Sequence, residues 1–478
     1  MIAELFRKAA EEALFDSIPR EMRNRYGQFS TPYELARQIT SAALEYCPAP
    51  KRILEPACGT GAFISAVRSA GMNTPIDAIE LNADICNVAK SIWENTHTAI
   101  YNEDFLEYAG KSTGRFDLIL SNPPYTRHQF IPQEKKREYV SLVCEKLGVK
   151  LSSLAGLHAY FILLGQMLLA PGGVAAWLIP AEFFSLNYAK PIKEFLLNKQ
   201  QILRLHFFDS SDLMFSEALV SSCVIIVKNA KPDESHKILI TQGDFEHVRM
   251  KCEVEPSFLR TCGKWQHIHL QGERRSETVL GDYFTVTRGI ATGNNTFFVK
   301  SLSEWNSLGV EPKYLCPLIP PPRNFKELFY SNVGANSDAS SAPYLLSISS
   351  DEEFSRLPVR LAAYLNSASD SVRAGYIVSK RKKWYSVEVR KSAPIVCTYM
   401  GRSNSVPFRF IRNRTQASIL NTYLALYPKK TLSEQALDRI WERLNSLSPE
   451  SIISCCREYG GGLKKLEPKE LLSLPFSI

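Results

Sequence analysis

Asn122-Pro123-Pro124-Tyr125 closes the apolar run FDLIL, Phe116 to Leu120, which reads as a buried parallel strand bounded by turn signals. Two successive prolines have no N–H and a fixed φ, so they stop the ladder and hold the Asn122 carboxamide and the Tyr125 ring in a stiff loop. A plain Pro-Pro turn with a capping Asn accounts for the tetrapeptide equally well, so its surroundings have to decide. Upstream, RILEP runs into Ala57-Cys58-Gly59-Thr60-Gly61-Ala62-Phe63. A strand, a glycine turn and a helix form the nucleotide-binding opening of a doubly wound fold, in which glycine lets a cofactor approach the backbone. The third glycine of the dinucleotide fingerprint is missing, since position 64 is Ile, and Glu55 stands ahead of the turn. Both features argue against a pyrophosphate and for a smaller cofactor with an amino-acid end. Glu80 ends the next strand, where an acid accepts hydrogen bonds from ribose hydroxyls. Asp104 and Phe105 end the third, an acid and an aromatic suited to an adenine's amino group and ring face. Singly, each acid reads as well as a solvated strand end. Three at successive strand ends are hard to obtain by accident.

The elements that must carry these residues follow from hydrophobic patterning. Strands are predicted at Arg52 to Pro56, Ile76 to Leu81, Ala99 to Tyr101, Phe116 to Leu120, Val174 to Ile179, Ile202 to Phe208 and Ser222 to Val227, with helices at Ile64 to Ala70 and Leu151 to Leu169. The alternation indicates α/β architecture. Ser30 or Thr31, followed by Pro32 and Glu34, reads as a helix start. Thr126 to Lys150 is a polar, partly basic insertion, expected to approach phosphates of a polyanionic partner through Arg127, Lys135, Lys136 and Arg137; a solvated helix is the plainer account. Turn-forming residues from Asn229 to Ser235 mark a domain boundary. Beyond it, Arg288 lies in a glycine- and amide-rich turn region, and Lys380, Arg381, Lys382 and Lys383 stand beside Trp384 and Tyr385. This mixture suits phosphate contacts flanking groups that reach base edges, although a solvated charge run explains the lysines as well.

At 478 residues, 45% hydrophobic and 22% charged, the chain is long enough for two or three domains with real cores. The apolar stretch from Tyr160 to Ala170 is interrupted by Gly165 and Gln166 and is too short to cross a bilayer. The opening residues MIAELFRKAAEEALF form an amphipathic helix without the regions of a signal peptide, so a cytoplasmic location is expected. Eleven scattered cysteines with no C-x-x-C pair agree with that compartment, and no metal site is expected. Fifty-seven basic against 49 acidic residues give a net charge of +8, a mild indication of a polyanionic partner.

In order along the chain, YGQFSTP, ILEPACGTGAF, Glu80, NEDF and SNPPY resemble the motifs of the gamma group of DNA N6-adenine methyltransferases, the TaqI-like enzymes of restriction-modification systems. The resemblance spans the first half of the chain by motif. It implies a Rossmann-like, seven-stranded, mostly parallel sheet of the class I methyltransferase type over residues 1–235, its last strand antiparallel. Residues 236–478 would be a C-terminal mixed α/β target-recognition domain, whose closing segment in such enzymes Arg457 to Lys465 resembles. The implied cofactor is S-adenosylmethionine, held by Thr31, Glu55, Ala57, Gly59, Gly61, Glu80, Asp104 and Phe105. The implied catalytic residues are Asn122 and Pro123, as acceptors of the two protons of an adenine amino group, and Tyr125, as a stacking face for a flipped-out base. Double-stranded DNA, a separately encoded cognate endonuclease and a monomeric state complete the implied picture. Because NPPY also occurs in enzymes that methylate protein glutamine and in some RNA methyltransferases, those substrates stay open, as does a specificity module with an inactive catalytic half. In one respect the chain departs from the family: Val227 stands where a second stacking aromatic is expected near the end of the last strand. Phe183, Phe184, Tyr188, Phe208 and Phe215 are the alternatives, each better suited to a core.

Overall fold

Nine strands of the first unit form one sheet in the order β3-β2-β1-β4-β5-β7-β6-β8-β9. They are β1 (Ile53–Pro56), β2 (Ile76–Ile79), β3 (Thr98–Tyr101), β4 (Phe116–Ser121), β5 (Leu169–Pro180), β6 (Gln201–Phe207), β7 (Ser222–Lys228), β8 (Ile238–Gly243) and β9 (Val248–Val254). The computed structural model describes residues 2–18, 22–23, 27, 29–208, 222–262, 265, 278–331, 341–459 and 462–477. Strands β1 to β5 pair in parallel, and β7 runs antiparallel between β5 and β6. Strands β1, β2 and β4 are buried along nearly their whole length, as expected of parallel strands covered on both faces, whereas the edge strand β3 is buried at alternate residues. In β4, Leu118 and Leu120 enter the core shared with helices Tyr33–Leu44 and Ala62–Ser69, while Phe116 and Ile119 enter the core shared with helices Leu157–Met167 and Lys190–Lys199. From Leu118 to Leu120 side chains alternate across the pleat, and a register shift between Phe116 and Leu118 puts Phe116 on the side of Ile119, so one strand serves two cores. Gly165 has its reason here: a Cβ would lie 2.4 Å from the ring of fully buried Trp177.

The Rossmann-like sheet read from the sequence is present, with two more strands than the seven expected. The turn around residues 229–235 does not end it. Strand β8 returns parallel to β6, and β9 adds an antiparallel edge. By its internal contacts the chain divides into Met1–His269 with Glu458–Gly462, and Leu270–Arg457 with Leu463–Ile478. Turn-forming composition at 235 therefore marks the crossing from β7 past β6 to β8 inside the sheet, and the division by contacts falls about a strand pair later.

The second unit is mixed α/β. Its five-stranded sheet has the spatial order Phe284–Arg288, Tyr423–Pro428, Ile395–Thr398, Phe410–Asn413, Phe329–Tyr330. The helix Glu434–Asn445 packs on it through Ile440 and Leu444, joined in one core by Phe284, Ile395 and Leu424. Fully buried Arg412 in this sheet pairs with Asp438 and Glu434 of that helix. A three-stranded sheet in the order Val299–Ser301, Pro343–Leu346, Leu315–Pro317 adds to the unit.

No helix among the described residues is long and apolar enough to cross a membrane. All eleven cysteines are free.

Candidate active site

The carboxyl ends of β1, β2, β3 and β4 surround a cavity of about 580 Å³, within the range of small-ligand sites. Strand β1 delivers the turn Ala57-Cys58-Gly59-Thr60. Ala57 and Gly59 both take positive φ, 56° and 57°, which brings backbone rather than side chain to the cavity wall. Glu80, at the end of β2, accepts from the backbone N–H of Gly59 at 3.0 Å and of Asn82 at 2.8 Å. Burial raises its carboxyl above the usual range, against the pull of those N–H groups. Asp104, after β3, caps the helix Phe105–Lys111 by accepting from Leu106 N–H at 2.8 Å. Thr31, Ala57, Gly59, Glu80, Asp104, Phe105 and Asn122 all line this cavity, so seven of the eleven expected cofactor and catalytic residues meet there.

Four others do not line it. The buried Glu55 carboxylate accepts from Ile64 N–H at 3.1 Å and so caps the helix Ala62–Ser69 from beneath. Burial lifts its pKa to about 8, opposed by the N–H groups of Phe63 and Ile64. Gly61 (φ 89°) begins that helix and is glycine because a Cβ would lie 2.5 Å from Trp93 Nε1. That indole N–H donates to Thr60 O at 2.9 Å. Pro123 and Tyr125 flank Pro124 in the loop and do not line this cavity. The Tyr125 hydroxyl is buried and donates to Leu178 O at 3.3 Å, and burial holds its pKa far above the usual phenol range. Its ring lies 6.0 Å from Phe29 and meets His158 edge-on. His158 is itself buried, which lowers its pKa to about 4.

The carboxamide of Asn122 is held from one end. Its Nδ2 donates to Thr31 Oγ1 at 3.0 Å, while Oδ1, buried, has no hydrogen-bond partner among the described residues. A buried acceptor without a donor costs free energy unless a ligand supplies one.

Other contributors to the wall carry no such sequence signal. The N-terminal helix Ile2–Ser17 brings Glu11 and Phe15 to the cavity. Buried Arg7 pairs with Glu4 and Glu11 and donates to Thr60 Oγ1 at 2.8 Å. From the polar insertion come Phe130, Ile131, Pro132, Lys135 and Tyr139. Tyr139 donates its hydroxyl to Asp104 Oδ2 at 2.7 Å. The expectation that this insertion offers its cations to DNA is corrected for Lys136, whose side chain is buried. Lys136 is buried on the same stripe of the helix Gln133–Leu147 as Tyr139 and Val143, and Lys135 pairs with Glu107 and Glu138. Arg127 and Arg137 are exposed. A spacing of three and four residues between Lys136, Tyr139 and Val143 is the signal that could have identified the buried stripe.

Val227 is also corrected. It is fully buried and pairs with Ala175. Since β7 is antiparallel, its end lies at the sheet edge away from Asn122, and its beginning, Ser222, pairs with Pro180 at the near edge. Phe183, Phe184 and Phe208 are core residues and Tyr188 packs against that core. Phe215 lies outside the described residues, as do Tyr26, Gln28, Gly460 and Gly461.

In the second unit the two cationic segments meet. Arg381 donates to Thr292 O at 2.6 Å and covers the Phe298 ring. Lys383 pairs with Glu353 and donates to Glu352 O, and Arg288 pairs with Glu467. Lys380 and Lys382 are exposed.

Comparison with known proteins decides the family. Residues 36–215 match the Eco57I restriction-modification methylase family, and residues 266–478 match the C-terminal domain of the Type II methyltransferase M.Eco57I. The chain belongs to this methylase family. The Type II methyltransferase M.AccI of Acinetobacter calcoaceticus is 27% identical over 480 residues, covering 95% of this chain and 86% of that protein. M.XamI of Xanthomonas campestris pv. amaranthicola is 26% identical over 461 residues, covering 94% and 84%. A cryoEM structure of a DrdV-DNA complex shares the fold over 94% of this chain and 55% of its own, with a TM-score of 0.50 and 13% identity. As a methylase of this family the chain takes its methyl group from S-adenosylmethionine. The cavity fits that group, with strand-end acids for hydroxyl and amino donors, Phe105 for a ring face, and backbone at Gly59 for close approach.

Proposed function

We propose that the chain is a sequence-specific DNA methyltransferase that modifies the exocyclic N6 of an adenine turned out of the duplex. One observation carries the reading above all: the buried, unpartnered Asn122 Oδ1 at the end of β4, on the wall of the cofactor cavity. An adenine amino nitrogen is a poor nucleophile because its lone pair is delocalised into the ring. Two acceptors on its protons draw that pair out of the ring plane, and the chain supplies them as Asn122 Oδ1 and the Pro123 carbonyl. Bound S-adenosylmethionine supplies an electrophilic sulfonium methyl. That methyl would pass to the N6 lone pair exposed by Asn122 Oδ1 and the Pro123 carbonyl, which would hold the amino protons until the surplus one is lost to water. Tyr125, held by its hydroxyl on Leu178 O, offers a face to the base. Extrusion of the base costs a few kcal/mol, offset by contacts to the DNA backbone. The mark would shield the site from a separately encoded endonuclease, and a monomer suffices for the chemistry.

The test is methyl transfer from labelled cofactor to duplex DNA, RNA and protein in parallel, with Asn122→Ala as control. Transfer to DNA adenine, lowered at least about 100-fold in the variant, is the expected result. Normal turnover by Asn122→Ala would sink the assignment, and transfer only to RNA or protein would change the substrate.

A further inference from the structure

Thr31 and Asn122 lie 91 residues apart in the chain and meet through one hydrogen bond, Asn122 Nδ2 to Thr31 Oγ1. A carboxamide is nearly symmetric in shape. Half a turn about its last torsion exchanges oxygen and nitrogen at little intrinsic cost, and only the bonding pattern around it selects one orientation. Methyl transfer needs the oxygen toward the substrate amino group. With the nitrogen there, two further N–H donors would face a group that must itself donate. Of the two ends of Asn122, one touches Thr31 and the other, buried, touches no partner among the described residues. Thr31 is therefore the group that makes the selection.

A hydroxyl alone selects poorly, because it can accept from Nδ2 or, with the amide reversed, donate to Oδ1. Selection requires its single proton to be committed elsewhere, and Thr31 Oγ1 donates to no protein acceptor among the described residues. Thr31 is buried apart from its place in the cavity lining, and the ligand that cavity takes carries an amino-acid carboxylate.

We infer that Thr31 is a positioning residue: its hydroxyl, once it donates to the carboxylate of the bound methyl donor, can only accept from Asn122 Nδ2, and so turns Asn122 Oδ1 toward the substrate. Cofactor occupancy thereby sets the polarity of the catalytic amide. The inference rests on the role given to Asn122 above.

The test uses the full chain labelled with [15N]asparagine, its Asn122 side-chain signals assigned by their loss in Asn122→Asp. S-adenosylhomocysteine, which retains the carboxylate and cannot react, is the titrant. In the wild type the Asn122 amide pair shifts and its proton exchange with water slows as the ligand binds. In Thr31→Val, calorimetry still detects ligand binding, weakened about tenfold, but the pair no longer responds. At saturating cofactor the kcat of this variant falls about 10- to 100-fold, and Thr31→Ser restores both kcat and the response. A Thr31→Val enzyme within twofold of wild-type kcat, or with an undiminished amide response, overturns the inference. If Asn122→Ala is inactive while Thr31→Val is not, only this inference falls; if Asn122→Ala is active, the functional reading falls first.

Discussion

A β-carbon on Gly27 would stand 2.5 Å from the backbone nitrogen of Tyr125 and 2.6 Å from that of Thr126. The backbone at Gly27 is thus packed closely on the loop that follows Asn122, and the residue's φ of 64° suits glycine. Gly27→Ala combines a backbone clash with a left-handed conformation that alanine resists, a change worth about 1–3 kcal/mol. Because the displaced atoms adjoin Asn122, kcat is expected to fall by more than tenfold while the melting temperature drops by only a few degrees. Unchanged kcat would mean that the loop tolerates displacement.

Tyr139 ties the insertion helix to the cofactor acid. With Leu106 N–H on one oxygen and the Tyr139 hydroxyl on the other, Asp104 is held in one rotamer. Tyr139→Phe removes one charge-assisted hydrogen bond, so the Kd for S-adenosylhomocysteine should rise about tenfold with kcat at saturation little altered. Calorimetric titration of the variant checks this. Equal affinity would confine Tyr139 to packing against Tyr160.

Glu55 makes stability depend on pH. Its carboxyl titrates near 8 in the folded chain and near 4.3 in an unfolded one. Between those values the folded state binds the extra proton, so this group's contribution to stability declines as pH rises and levels off above 8. Glu55→Gln removes the dependence. Without cofactor, the variant should melt close to wild type at pH 5 and progressively above it toward pH 9. A melting difference that does not vary with pH would contradict the buried-acid account.

The four cations of Lys380 to Lys383 divide into two kinds. Lys380→Ala and Lys382→Ala each remove an exposed charge, and a lysine that neutralises one DNA phosphate should, on removal, reduce the slope of log K against log salt by about 0.9, with melting unchanged. Arg381→Ala leaves the Thr292 carbonyl without its donor and uncovers Phe298, and should cost about 1–3 kcal/mol of stability. Thermal melts and DNA titrations at several salt concentrations separate the two. Identical behaviour of all three variants would mean that the segment acts as one solvated charge run.

The sheet was legible because its strands are mostly apolar runs bounded by turn signals, and all seven expected strands lie within about two residues of those seen, save that β5 begins five residues early, at Leu169. The acids at 80 and 104 were legible for the same reason, since an acid ending such a run must meet either solvent or a ligand. What stayed hidden depended on direction and partnership. Composition does not reveal the direction of β7, which only the resemblance implied, and its antiparallel course puts Val227 at the far end of the strand. Nor does it reveal that Lys136 shares a buried stripe with Tyr139, because three buried positions in fifteen leave the helix polar on average. Glu55 has the right residue type for cofactor binding, but two residues of chain direction separate a cavity wall from a helix cap.

Trp93 does more than exclude a side chain at Gly61, because its indole donates to the carbonyl of Thr60 in the cofactor turn. Indole emission responds to the field at the ring, so this buried tryptophan makes the turn optically visible. Of six tryptophans in the chain, Trp93 alone reports from within one hydrogen bond of that loop among the described residues. With Trp93→Phe as the blank, ligand arrival could be followed in real time without an added label.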